Sequence, residues 1–113
     1  MQKGNELMVI QVKDKDLFEL ITSGTNRKYK EIERDKSLFA GLQRAIGIMQ
    51  VARTVEDLSK YSFLHYEKLK YQLAGYSSVR LSAGRIHRLI FVEEDDHITL
   101  TLVTLDNTHY GNK

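Results

Sequence analysis

The stretch SVRLSAGRIHRLIFVEEDDHITLTLVTL, residues 78–105, decides the fold of this chain. Apolar and polar side chains alternate along much of it, which is the period of a β-strand and not of a helix. Ala83-Gly84 has the composition of a turn, and the acidic run 93–96 has the length of a hairpin loop. We therefore predict an antiparallel meander of three strands. These strands cover residues 78–82, 86–92 and 98–105.

The residues before this stretch predict one strand followed by helices. Residues 7–12 are apolar and β-prone, which fits a first strand. Asp14 or Asp16 can then cap a short helix that ends near Gly24. After a polar and basic connection, apolar residues at three-and-four spacing over 38–51 predict an amphipathic helix.

A further helical turn completes the first half. Thr54, followed three residues later by Asp57, resembles the capping box that begins a helix. The expected architecture is a single α+β domain over residues 1–113. It has an N-terminal strand and two to three helices packed on an antiparallel sheet of three to four strands.

Composition limits the classes of protein that this chain can be. Its 113 residues include no cysteine, which rules out disulfides and thiolate metal sites and favours a reducing cytoplasm. No apolar run approaches the ~20 residues that cross a bilayer, so we expect a soluble protein with no membrane partner. The net charge of +2 is too small for nucleic-acid binding by bulk electrostatics.

The basic residues are nevertheless concentrated in one region. Residues 65–91 contain five of them against a single acid, Glu67. The five basic residues are Lys68, Lys70, Arg80, Arg85 and Arg88. The sequence therefore predicts a local basic patch in the second half of the chain.

Strand parity places two of these arginines on one face of the sheet. In the predicted strands 78–82 and 86–92, the simplest assignment places Val79, Leu81, Leu89 and Phe91 on the core face. Arg80 and Arg88 then point away from the core and share an exposed face with Ile90. His87 has the opposite parity to Arg88, so we expect a partly buried or edge histidine.

Two guanidiniums on one face can clamp a phosphate, because arginine binds its oxygens in a planar bidentate geometry. The simpler alternative is that exposed arginines keep an open sheet face soluble. His109-Tyr110 adds an imidazole that titrates near neutrality and a ring that can stack on a base. A flexible terminus is the alternative for that pair. No glycine-rich phosphate loop or metal-spaced histidine pair is present in the sequence, so we expect no metal or cofactor.

Four motifs in this order resemble the RelE/ParE superfamily of type II toxins, and most closely its HigB and YoeB branches. They are FLHYEKLK at 63–70, GYSSVRL at 75–81, HRLIF at 87–91 and THYG at 108–111. The resemblance implies a RelE-like fold and ribosome-dependent, metal-independent cleavage of messenger RNA. It also implies a co-encoded antitoxin, of the helix-turn-helix type, that silences the toxin.

The resemblance also implies roles for individual residues. Glu67 matches a general base, Arg80 and Arg88 match arginines that hold the phosphate, and His109 and Tyr110 match a terminal pair that protonates the leaving group and stacks on a base. The basic residues expected to bind substrate are Lys68, Lys70 and Arg85.

Three alternatives remain open on the sequence. Glu67 can instead be a structural residue, ion-paired with a neighbouring basic group. The chain can be a ParE-like or decayed toxin that acts only by binding proteins, for example gyrase. It can also be an RNA-binding or structural module whose likeness to the toxins is limited to its fold.

Overall fold

A computed structural model describes residues 7–107 of the chain. Its helices are α1 (Lys15–Ser23), α2 (Lys30–Arg34) and α3 (Lys36–Val51), with three short 3₁₀ helices at Val55–Lys60, Ser62–Leu64 and Tyr71–Leu73. Its strands are β1 (Val9–Val12), β2 (Glu67–Lys68), β3 (Ser77–Arg80), β4 (Arg88–Glu93) and β5 (Thr99–Asp106). The α+β class is confirmed.

The five strands form one sheet in the order β1-β5-β4-β3-β2. The predicted meander is confirmed, since β3, β4 and β5 pair antiparallel with their neighbours in sequence. The expectation of an antiparallel sheet with three to four strands is wrong in two respects. The sheet is mixed, because β1 pairs parallel to β5, and it contains β2, whose two residues are too few to give a periodic signal.

The ends of the helices follow from their capping residues. Asp14 caps α1 by accepting the backbone N–H of Asp16 at 2.9 Å, and α1 ends at Gly24, whose φ of 84° is left-handed. The expected turn after Thr54 is confirmed as a 3₁₀ helix, in which the Asp57 carboxylate accepts the Thr54 N–H at 3.3 Å. The short helix α2 was not predicted, because Ile32 is its one buried residue and gives no amphipathic period.

Helices α1 and α3 contribute the apolar side chains that cover one face of the sheet. The core contains Leu17 and Leu20 from α1, Leu38, Leu42, Ala45 and Met49 from α3, and Val79, Leu89, Phe91, Leu100 and Leu102 from the sheet. The backbone of α3 comes closest at Gly41, where a Cβ would lie 1.7 Å from the carbonyl oxygen of Leu81. Only glycine fits there, so Gly41 fixes α3 against the end of β3.

The opposite face of the sheet is partly buried as well. Arg88 and Ile90 lie on that face, as parity predicted, but only 4% of Arg88 and 2% of Ile90 is exposed. The expectation that Arg88 is exposed is therefore wrong. Strand parity identifies the face that carries a side chain, whereas exposure depends on neighbouring strands, and β4 lies in the middle of this sheet.

None of the helices in the part of the chain that the structure describes is long and apolar enough to cross a membrane.

Candidate functional site

Three neighbouring strands bring a carboxylate, a hydroxyl and a guanidinium together. In register, Glu67 on β2 lies opposite Ser78 on β3, and Ser78 lies opposite Ile90 on β4, two residues from Arg88. The Arg88 Nη1 group donates to Glu67 Oε2 at 2.9 Å and to Ser78 Oγ at 3.0 Å. Ser78 is fully buried, while the Glu67 side chain remains 37% exposed. The cluster therefore has one buried cation and one carboxylate that solvent reaches.

Arg80 lies directly across from Arg88 in the β3–β4 register, so the two arginines do share a face. Its Nη1 donates to the backbone carbonyl of Arg85 at 3.3 Å, while its Nε is buried and has no hydrogen-bond partner within residues 7–107. Like charges directly opposite each other on neighbouring strands are destabilising. A bound anion would relieve this repulsion between Arg80 and Arg88.

The row of cross-strand partners that contains Arg80 and Arg88 continues on β5, where it includes a second carboxylate. Asp106 on β5 lies in register opposite Arg88. Nothing in the sequence singles out Asp106 or Ser78, because isolated Ser and Asp residues in strands are common. Their significance comes from the pairing of β3, β4 and β5.

The other predicted substrate-binding residues are distributed differently. Lys68 is the neighbour of Glu67 on β2 and so takes the opposite face of that strand, and Lys70 is exposed just beyond it. The Arg85 Nη1 group contacts Asp35 Oδ2 at 2.8 Å, at the start of α3. Roles for Lys68, Lys70 and Arg85 in binding substrate remain predictions.

His109 and Tyr110 lie outside the described residues. The predicted role of this terminal pair therefore remains a prediction. Among the groups that are described, Glu67, Arg80 and Arg88 come together at one side of the sheet.

His87, which was expected to be partly buried or at a sheet edge, is buried, with 5% of its surface exposed. Its Nε2 lies 3.0 Å from Glu31 Oε2, but the angles are not those of a hydrogen bond. Because Glu31 belongs to α2 and Asp35 precedes α3, two carboxylates approach the loop between β3 and β4 from the helical layer.

Asp35 is the carboxylate whose pKa is most clearly changed in this region. The hydrogen bond from the Ser37 hydroxyl, followed by the one from Arg85, lowers its pKa to about 2. Asp35 is therefore ionised throughout the physiological range, and its negative charge attracts the positive charge of Arg85.

The chemistry available to the cluster is acid–base catalysis and anion binding. A guanidinium has five N–H donors, and the contacts to Glu67 and Ser78 both use Nη1 of Arg88. Within residues 7–107, no three His, Asp or Glu side chains are grouped closely enough to hold a metal ion.

Comparison with known proteins gives a structural likeness and no match by sequence. No family model matches the chain, and no curated protein matches it. A YoeB/ParE toxin from Agrobacterium tumefaciens superposes with a TM-score of 0.54 at 15% identity, over 89% of this chain and 99% of that one. The YoeB dimer from Staphylococcus aureus superposes with a TM-score of 0.50 at 20% identity, over 91% and 98% respectively. The resemblance seen in the sequence is thus confirmed in three dimensions: the chain has the fold of the RelE/ParE toxins.

Proposed function

We propose that this protein is the toxin of a type II toxin–antitoxin system and that it cleaves messenger RNA on the ribosome without a metal ion. The observation that carries the proposal is the contact of Arg88 with Glu67 at 2.9 Å, on a sheet face where Arg80 lies directly opposite Arg88. A cation that binds phosphate and a carboxylate that accepts a proton are the two groups that RNA transesterification requires first.

The reaction begins with the 2′-hydroxyl of the nucleotide before the scissile bond. Glu67 removes its proton while the 2′-oxygen attacks the adjacent phosphorus. Arg80 and Arg88 neutralise the phosphate oxygens, which carry additional charge in the pentavalent transition state. The bond to the 5′-oxygen then breaks, and that oxygen takes a proton from His109, leaving a 2′,3′-cyclic phosphate and a 5′-hydroxyl end. Tyr110 stacks on a base and orients the nucleotide.

The ion pair between Glu67 and Arg88 fits this sequence of events. In the RNA-free protein, Arg88 holds the carboxylate in place through a single nitrogen. When a phosphate enters, its oxygens compete with Glu67 for the guanidinium, because arginine binds phosphate in a bidentate manner. The carboxylate released in this exchange lies beside the phosphate, where the 2′-hydroxyl must be deprotonated.

The ribosome supplies the geometry that the protein alone lacks. Attack by the 2′-oxygen requires the nucleotide to adopt an in-line arrangement, which flexible RNA rarely visits. A codon held in the decoding site is presented in an extended form, so we expect cleavage of translated RNA and little cleavage of RNA in solution.

A second candidate function rests on the same ion pair. Because Arg88 is almost fully buried, its contacts with Glu67 and Ser78 are also what a structural role requires. In that case the chain acts by binding a protein, as a ParE-like toxin or a decayed member would.

The partner that this proposal requires is a cognate antitoxin in the cytoplasm. Charge complementarity favours an acidic segment that covers the sheet face carrying Arg80 and Arg88. A DNA-binding antitoxin with a helix-turn-helix domain is the type that the sequence resemblance implies.

Mapping RNA ends in cells separates the two functions. We expect expression of the wild-type chain to stop growth and to create new 5′ ends within translated codons. Growth arrest without new 5′ ends would support a protein-binding toxin and contradict the nuclease.

A further inference from the structure

Asp35 joins two parts of the molecule through its two carboxylate oxygens. Oδ1 accepts the backbone N–H groups of Ser37 and Leu38, at 3.1 and 3.2 Å, and so caps α3. Oδ2 contacts Arg85 Nη1 at 2.8 Å. Arg85 is therefore attached to the N-terminus of the longest helix, which Gly41 holds against the sheet.

Arg85 in turn belongs to the loop that joins β3 to β4. Its backbone N–H donates to the Ser82 carbonyl at 3.2 Å, and its own carbonyl accepts from Arg80 Nη1 at 3.3 Å. At the end of this loop, the His87 carbonyl accepts the N–H of Leu81 at 3.2 Å. The side chain of Arg85 thus fixes the loop, and its backbone contacts the neighbouring arginine of the site.

Arg80 depends on this support because, within residues 7–107, it makes few other polar contacts. Its Nε is buried without a hydrogen-bond partner in the described residues, and Arg88 opposite carries the same charge. The contact with the Arg85 carbonyl is consequently what directs its guanidinium. A long side chain held by one weak hydrogen bond is sensitive to movement of the acceptor.

We propose that Asp35 and Arg85 form a positioning pair that aims Arg80 at the substrate phosphate, so that Arg85 serves the site through its loop and not by touching RNA. The role in catalysis rests on the proposed nuclease function, whereas the orientation of Arg80 is a property of the protein alone. Ion pairs on a fixed scaffold commonly orient the groups that contact a substrate.

The direct test measures solvent exchange of the Arg80 Nε proton by NMR, with no RNA present. We expect this exchange to become about fivefold faster in Asp35→Asn and in Arg85→Ala, as loss of a partly exposed ion pair allows the loop to open more often. Asparagine keeps the oxygen that caps α3 but loses the charge that attracts Arg85. Arg85→Lys restores the charge and should return the rate toward the wild-type value.

Lys60→Ala is the matched control, because it breaks a different surface ion pair, Lys60–Asp57 at 3.3 Å. It should leave the Arg80 signal unchanged. Unaltered exchange at Arg80 in both Asp35→Asn and Arg85→Ala would overturn the proposal, whether or not the protein cuts RNA.

A double-mutant comparison on translating ribosomes tests the catalytic consequence. If Asp35 acts through Arg80, Asp35→Asn should slow cleavage in the wild-type background and have no further effect in Arg80→Ala. If the two substitutions lower the cleavage rate independently, so that their effects multiply in the double variant, Asp35 does not act through Arg80. A wild-type protein that cuts no RNA would refute the nuclease, while the exchange measurement would still decide the orientation of Arg80.

Discussion

Replacing Glu67 with glutamine separates its proposed role as a base from its role as the partner of Arg88. The amide oxygen of glutamine can still accept the hydrogen bond that Arg88 Nη1 now donates at 2.9 Å. The ability to take a proton is lost. Loss of a general base typically lowers a rate by about 10² to 10⁴, so we expect Glu67→Gln to slow RNA cleavage by that factor.

The same substitution should change stability little. The Glu67 side chain is 37% exposed, so solvent weakens its ion pair with Arg88, and glutamine keeps the hydrogen bond that holds the buried guanidinium. Urea unfolding of the purified variant should therefore give a free energy within about 1 kcal/mol of the wild-type value. A large loss of stability would mean that the effect on cleavage comes from unfolding.

The assay is the cleavage rate of a defined messenger RNA on purified ribosomes, read by primer extension. Glu56→Gln is the control, because Glu56 is exposed on the 3₁₀ helix Val55–Lys60, and it should cleave at the wild-type rate. Full cleavage by a folded Glu67→Gln variant would refute the assignment of Glu67 as the base and leave it a structural partner of Arg88.

Three further predictions test the fold and its charges. Arg88→Ala should abolish cleavage and also lower the free energy of unfolding by about 1–3 kcal/mol, since it leaves the buried Ser78 hydroxyl unpaired; unchanged stability in urea would contradict the described contacts. Gly41→Ala should cost about 1–3 kcal/mol or more in thermal unfolding, because its Cβ would lie 1.7 Å from a carbonyl oxygen, whereas Gly47→Ala, with open space around it, should not destabilise. Asp35 has a pKa lowered from 3.8 to about 2, so its ionised form favours the folded state above the unfolded pKa and that advantage is lost as the pH falls. The stability difference between the wild type and Asp35→Asn should therefore shrink between about pH 5 and about pH 2, and a constant difference would show that the charge is not involved.

Local signals in the sequence were sufficient to predict the ends of the helices and the strands of the meander. Asp14 and Gly24 bound α1 because capping and left-handed backbone geometry depend on single residues and their immediate neighbours. Strand parity placed Arg80 and Arg88 on one face, because alternation is a property of each strand alone.

The pairing of strands that are distant along the chain could not be predicted from the sequence. Nothing near residues 9–12 indicates that this strand lies parallel to β5, some 90 residues later, and the two residues of β2 have no measurable period. The burial of Arg88 has the same origin, since Glu67 and Ser78 surround it from other strands. The site is thus a consequence of strand order, which explains why its residue types could be selected from the sequence and their contacts could not.

The most direct measurement of the central claim is the chemical identity of RNA ends formed on purified ribosomes by the wild-type protein. Transesterification by Glu67, Arg80 and Arg88 predicts upstream fragments that end in a 2′,3′-cyclic phosphate and downstream fragments that begin with a 5′-hydroxyl. Intact messenger RNA after incubation with active ribosomes, or fragments that carry 5′-phosphates, would contradict this mechanism.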